Sequence, residues 1–344
     1  MIKPERLRKG DTVAIASLSY GMGGEDAFLP RYELGKRRLE EVFGLNVIVM
    51  PHALKGIEFL YENPQARAQD LMDAFKNPEI KGIICMIGGD DAIRLLPHVD
   101  FDVIRENPKI FMGFSDTTSN HFMMHKAGLV SFYGPCVLAD FGENVTMYDY
   151  TVNQIKSVLF EPTDRLEIPP SSGWTSEFLD WANRDNDNTR RILTPDTKGY
   201  EILQGKGVAR GKLIGGCVEV LPMIIGTDIW PTGKAWDDAL LFLEIAEDYT
   251  PPEITTYILR GMAAQGILGR ISGIIFGKPR AEKFYNEYKD VLTTAAKEAG
   301  RADMPILYNA SFGHNSPICT LPYGITAEID CDAKTLHLTE PAVL

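Results

Sequence analysis

The feature that most restricts the fold is a rhythm in the first third of the chain. Short β-rich runs alternate with amphipathic helical stretches: TVAIAS (12–17), RYELGKRRLEEVF (31–43), NVIVM (46–50), PQARAQDLMDAF (64–75), GIICMI (82–87) and KIFMGF (109–114), after which a helix begins at Asp116. The run 82–87 is apolar throughout. A strand with two apolar faces belongs in a parallel sheet covered by helices on both sides, because a sheet with one wet face would alternate. The expectation is an N-terminal α/β domain over residues 1–160, with a Rossmann-like or flavodoxin-like parallel sheet. In such sheets ligands bind outside the carboxyl ends of the strands.

From 161 to about 200 the periodicity disappears and Pro, Ser, Asp and Asn accumulate, which reads as a long connecting loop. Apolar runs resume with GVARGKLIGG, ALLFLE (239–244) and ISGIIFG (271–277), with helical stretches near 253–265 and 283–298 and short β segments at the end. Residues 201–344 therefore read as a second, β-rich α/β domain. A chain of 344 residues with 44% hydrophobic and 24% charged residues has enough apolar material for two such cores.

Composition narrows the function. A net charge of −12 argues against a nucleic acid polymer as partner, since phosphate backbones demand a Lys/Arg surface. The five cysteines, Cys85, Cys136, Cys217, Cys319 and Cys331, contain no C-x-x-C pair and read as small buried residues in a reducing compartment. The opening MIKPERLRKGDTVAIAS lacks the apolar core of a signal peptide, and no apolar run is long enough to span a bilayer. A cytoplasmic location with no membrane partner is expected.

Chemistry concentrates at the ends of the apolar strands. In KIFMGFSDTTSN a buried strand stops at Gly113, Ser115 follows, and a helix starts at once. That strand-to-helix elbow would expose the Ser115 hydroxyl at the sheet's carboxyl edge, beside the positive end of a helix. Taken alone the segment reads equally as a Ser or Asp N-cap, since G-F-S-D-T is not the full G-x-S-x-G signature. The run 82–87 leads into Gly88-Gly89-Asp90-Asp91 at the same edge, where glycines let backbone amides approach a substrate. Gly89 and Asp116 are then candidates for an oxyanion hole, and Asp90 for substrate binding.

A serine nucleophile needs a base, and the six histidines leave few choices. His314 lies in the Gly/Asn/Ser/Pro loop NASFGHNSP, whereas His337 alternates within a terminal strand and His52 and His98 adjoin prolines. Glu244, closing the strand ALLFLE, is the candidate acid to orient the base, with Glu247 and Asp248 the nearest alternatives. His121 and His125 share a helix face as in H-E-x-x-H zinc sites, but the glutamate and a third ligand are missing, so no metal is expected. Trp174 and Trp181 stand in the polar connection SGWTSEFLDWANRDNDN, where either ring pins the loop or stacks on a flat part of a substrate.

With these residues in view, the chain resembles the LD-carboxypeptidase family of serine peptidases. The likeness is carried by GDTVAIAS, GGDDAIRLLPHVDFDVIRENPKIFMGFSDTT, LLFLE and SFGHNSP, and covers essentially the whole length. It implies Ser115 as nucleophile, His314 as general base and then acid, Glu244 as its orienting acid, backbone amides near Gly89 and Asp116 as oxyanion hole, no cofactor, and a homodimer with each site between two domains. The GGDD turn and the SGWTSEFLDW segment are most similar to the microcin C immunity carboxypeptidases, which implies a small peptide or peptidyl-nucleotide substrate. Cell-wall muropeptide cleavage is the alternative within the family, and a non-catalytic anion-binding protein the alternative outside it. Two positions depart from the family pattern: Cys217 stands where Asn is expected, and Ile245-Ala246 follow Glu244 where many relatives carry an acid.

Overall fold

The computed structural model describes residues 1–246 and 250–344; Glu247 and Asp248, the alternative acids, lie outside the described residues. Strands β1 (Thr12–Ala16), β2 (Asn46–Val49), β3 (Ile80–Cys85), β4 (Ile110–Gly113) and β5 (Phe132–Tyr133) pair in parallel in the order 2-1-3-4-5. They are joined through helices α1 (Leu29–Phe43), α2 (Ile57–Glu62), α3 (Pro64–Lys76), α4 (Phe101–Glu106) and α5 (Thr117–Ala127). In β3 only Lys81 is exposed, and β4 is buried throughout, as two-sided apolar strands require. The chain leaves β1 for β2 on one side and returns to β3 on the other. This is the flavodoxin-like switch point, and it opens a crevice at the carboxyl ends of the strands.

The connection after α6 (Asp149–Leu159) is more ordered than its composition suggests. It contains β6 (Leu166–Glu167) and a small ladder of β7 (Gly173–Trp174) on β8 (Thr194–Pro195). Beyond it come β9 (Glu201–Gln204), β10 (Val208–Cys217), β11 (Leu240–Glu244), β12 (Gly273–Gly277), β13 (Ile306–Ala310), β14 (Leu321–Pro322), β15 (Thr326–Asp330) and β16 (Thr335–Leu338), with helices α7 (Leu221–Ile224), α8 (Pro252–Ala264) and α9 (Tyr285–Glu298). The second sheet runs β6-β16-β15-β10-β11-β12-β13-β9, a parallel centre of β10 to β13 with antiparallel flanks. Among the described residues no helix is long and apolar enough to cross a membrane.

The two sheets are locked together by aromatics. Tyr133 of β5 meets Phe242 of β11 edge-on at 5.5 Å, and Phe242 meets Tyr323 at 4.9 Å and Phe312 at 5.9 Å. Such pairs contribute about 0.5–1.5 kcal/mol each beyond their burial. Strand β14, from the second half, completes the first sheet by pairing with β5. This seam fixes the end of β4 against the ends of β11 and β13.

Candidate active site

Ser115 sits in the left-handed backbone region at φ +63°, between the end of β4 and the first turn of α5. A non-glycine residue there costs on the order of 1–2 kcal/mol, and such strain persists only where neighbours enforce it. Gly113 makes the elbow possible, since a Cβ on it would lie 2.8 Å from Thr117 Oγ1 and 2.9 Å from Cys85 Cβ. Gly88 presses its backbone against the elbow in the same way, its would-be Cβ falling 2.9 Å from Ser115 Cβ.

The N-cap reading of this segment fails. Asp116 makes no side-chain cap bond; its Oδ2 instead accepts from Ser19 Oγ at 2.5 Å and from the Ala92 N–H at 2.8 Å. One buried carboxyl thus ties together the loops that follow β1, β3 and β4. Burial raises its pKa, against the pull of the Ser19 and Ala92 hydrogen bonds.

His314 arrives from the loop after β13. Its Nε2 lies 3.0 Å from Ser115 Oγ, and its Nδ1 lies 2.8 Å from Glu244 Oε2, at the end of β11. Gly313 permits this approach, because a side chain there would meet Glu244 Oε2 at 2.5 Å. The Glu244 side chain is fully buried, and that of His314 is 16% exposed. Burial works to lower the His314 pKa, but the Glu244 charge and hydrogen bond prevail and lift it above the usual imidazole value.

Tyr133 escaped the sequence reading. Its hydroxyl donates to Glu244 Oε1 at 2.5 Å and accepts from the Ser115 N–H at 3.1 Å, bridging the acid to the strained backbone. Burial and then the neighbouring Glu244 charge hold the phenol well above its usual pKa, so it stays a donor. Nothing in SFYGP marks it. Its position follows from β5 pairing with β4, which sets Tyr133 opposite Gly113. Tyr133→Phe is expected to lower kcat about 10- to 100-fold with KM nearly unchanged, the scale of losing a buried hydrogen bond to a charged group. Steady-state kinetics on the folded variant check this, and an unchanged kcat would make the bridge purely structural.

Ser115 and His314 open into a cavity of about 290 Å³ that Gly88, Gly89, Phe178, Trp181, Arg31, Arg191 and Arg280 help to line. Trp181 carries Arg31 Cζ 4.3 Å from its ring centre and has Phe178 at 5.7 Å. Arg191 is held by Glu143 and by Ser316 Oγ at 2.9 Å. Trp174 does not reach this lining: the β7–β8 ladder turns its ring toward Lys278, whose Nζ is 4.9 Å from the ring centre. Asp90 is exposed and also outside the lining, while the next residue, Asp91, binds Arg67 through both oxygens at 2.7 and 2.9 Å. Both ring nitrogens of His121 are engaged, by Ser131 Oγ at 2.8 Å and the Gly113 carbonyl at 2.9 Å, so that imidazole supports the elbow. Cys217, beside Glu244 in the sheet register, is buried, and burial pushes its thiol pKa well up.

The sequence and fold match a known group of proteins. Residues 13–134 match the LD-carboxypeptidase N-terminal domain and residues 210–329 match the LD-carboxypeptidase C-terminal domain. The chain belongs to the LD-carboxypeptidase family. It is a serine-type carboxypeptidase, and hence a hydrolase. It is 30% identical to a probable murein peptide carboxypeptidase of Bacillus subtilis, over 97% of this chain and 93% of that protein. An MccF-like protein from Streptococcus pneumoniae, solved in complex with AMP, superposes with a TM-score of 0.87 at 35% identity, covering 96% of this chain and 98% of that one. The microcin C7 self-immunity protein MccF in complex with aspartyl sulfamoyl adenosine gives a TM-score of 0.87 at 26% identity, with both chains fully covered.

Proposed function

We propose that Ser115, His314 and Glu244 form the catalytic triad of a carboxypeptidase of the microcin C immunity type, acting on aminoacyl- or peptidyl-nucleotides. The observation that carries this reading is the unbroken hydrogen-bonded chain from buried Glu244 through His314 to a strained serine at the cavity wall. Ser115 Oγ attacks the scissile carbonyl as His314 Nε2 takes its proton, and the Gly89 and Asp116 N–H groups receive the oxyanion. The tetrahedral adduct collapses as the imidazolium protonates the departing nitrogen. Water, deprotonated by the same imidazole, then hydrolyses the acyl-enzyme and regenerates Ser115.

The nucleotide half of the proposal is supported by the aromatic wall of the cavity. Trp181 offers a flat aromatic ring for a base, with Phe178 tilted 50° beside it and the Arg31 guanidinium over the ring. The AMP-bound relative supports the same direction. The cytoplasmic setting agrees with five free, buried cysteines; the homodimer is carried over from the family resemblance, and light scattering on the purified protein tests it.

Turnover of aspartyl sulfamoyl adenosine against a muropeptide tetrapeptide decides between the two substrate classes; efficient cleavage of the tetrapeptide alone would transfer the protein to cell-wall recycling. Trp181→Ala is expected to reduce kcat/KM for the nucleotide substrate by about ten-fold or more, since base stacking contributes roughly 1–3 kcal/mol, and to leave a base-free peptide much less affected. Trp174→Ala should not discriminate between the two. Equal losses on both substrates for Trp181→Ala would make that ring structural.

A further inference from the structure

A second cavity, of about 240 Å³, shares Arg31 and Trp181 with the Ser115 cavity. Four arginines line it, Arg31, Arg37, Arg38 and Arg184, against two acids, Asp180 and Asp187. In a chain of net charge −12 such a gathering of guanidiniums is out of keeping with the surface at large.

Neither acid pairs with Arg31, Arg37 or Arg38. Asp187 is taken by Arg184 at 2.6 Å, and Asp180 Oδ1 accepts the Ala182 N–H at 2.9 Å. Arg31 bonds the Leu138 carbonyl and Asn144 Oδ1, each at 2.7 Å, and Arg38 bonds the Val145 carbonyl at 2.6 Å. Those acceptors are neutral. Among the described residues, Arg31, Arg37 and Arg38 form no ion pair with a carboxylate. Arg31 and Arg38 stand two turns apart on α1, so both guanidiniums serve one face, with Arg37 beside them. The cost of this arrangement appears in their protonation. Burial lowers the Arg31 pKa to about 10, and burial followed by repulsion from Arg37 lowers that of Arg38. The charges of Glu143, Asp140 and Glu41 pull these pKa values the other way, but none of those three acids lines the cavity, whose wall therefore carries four arginines against two carboxylates. Planar guanidinium forks match the paired oxygens of phosphoryl and carboxylate groups.

We propose that this cavity is a phosphate subsite, taking either a phosphoryl group carried by the nucleotide substrate whose base rests on Trp181, or free inorganic phosphate. The first occupant rests on the nucleotide reading above; the anion site does not.

Calorimetry on the Ser115→Ala protein tests it, with adenosine, AMP, adenosine 3′,5′-bisphosphate and inorganic phosphate as ligands, each repeated with Arg37→Gln and Arg38→Gln added. At least one phosphoryl step, adenosine to AMP or AMP to the bisphosphate, is expected to tighten binding about ten-fold or more, and the double substitution should abolish that step. Phosphate binding that the two arginine substitutions remove, without any gain along the nucleotide series, supports the site with inorganic phosphate as its occupant. Should adenosine and AMP fail to bind while phosphate still binds in an Arg37- and Arg38-dependent manner, the nucleotide reading falls and the subsite stands. Identical affinities for every phosphorylated ligand with and without the two arginines would overturn the proposal. Thermal melting confirms that the compared proteins are equally folded.

Discussion

Ser115→Ala and His314→Ala are each expected to lower kcat by at least about 10³-fold, roughly 4 kcal/mol in barrier, while the protein stays folded. Members of a triad act as one unit, so removing the nucleophile or its base forfeits nearly the whole covalent route. What survives is the contribution of the oxyanion donors and of substrate positioning. The double variant should therefore be hardly slower than either single one. The elbow supplies an independent check, because Ser115 holds φ +63° at a cost that its side-chain chemistry must justify. Ser115→Gly should be as inactive as Ser115→Ala yet unfold at no lower temperature, since glycine adopts that conformation freely. Single-turnover kinetics and thermal melting of the variants read both results. Retention of more than about a tenth of wild-type kcat in folded Ser115→Ala or His314→Ala would remove that residue from the mechanism.

How much of this was legible beforehand depended on how local each signal was. The first sheet was legible because two-sided apolar strands such as 82–87 admit few other environments, whereas the choice between a Rossmann-like and a flavodoxin-like order rested on the strand pairing 2-1-3-4-5. Ser115 and Glu244 were legible because each stands at the exit of such a strand, and His314 because few histidines competed with it. Other features depended on contacts between distant parts of the chain. The Tyr133 hydroxyl acquires its role from a carboxylate 111 positions away, across the seam between the sheets. Asp116 looked like a helix cap and instead fastens three loops, which only the closeness of Ser19 and Ala92 could reveal. Trp174 and Trp181 were indistinguishable in a polar segment; a two-residue ladder at β7 separates them. Asp90 and Asp91 were equivalent as letters, and the burial of Arg67 beneath the turn selects Asp91 for pairing. The arginine-lined cavity was hidden because α1 and the 161–200 connection meet only in three dimensions.

Glu244→Gln carries the other large expected effect, a loss of at least about 10²-fold in kcat, and it also predicts the sign of a pH shift. In the wild type, burial alone would depress the His314 pKa, and the Glu244 carboxylate raises it above the ordinary value instead. The base is active when neutral, so kcat/KM should rise with pH through that raised pKa, and the acid limb should lie above the pH expected of a free imidazole. Glutamine keeps a hydrogen-bonding oxygen or N–H within reach of Nδ1 but removes the charge. The desolvation penalty is then opposed only by the weaker field of Glu219, so the His314 pKa falls and the acid limb must move to lower pH. The plateau rate falls at the same time, because the imidazolium formed in the transition state has lost the carboxylate that stabilised it. The amide also presents Tyr133 with a changed partner at Oε1, so part of the loss should reappear in Tyr133→Phe and the two substitutions should combine less than additively. A limb that moved down with the plateau unchanged would limit Glu244 to tuning the pKa. A plateau that fell with the limb unmoved would mean that another charge sets the protonation of His314, and Glu219, whose field also raises that pKa, is the group to substitute next.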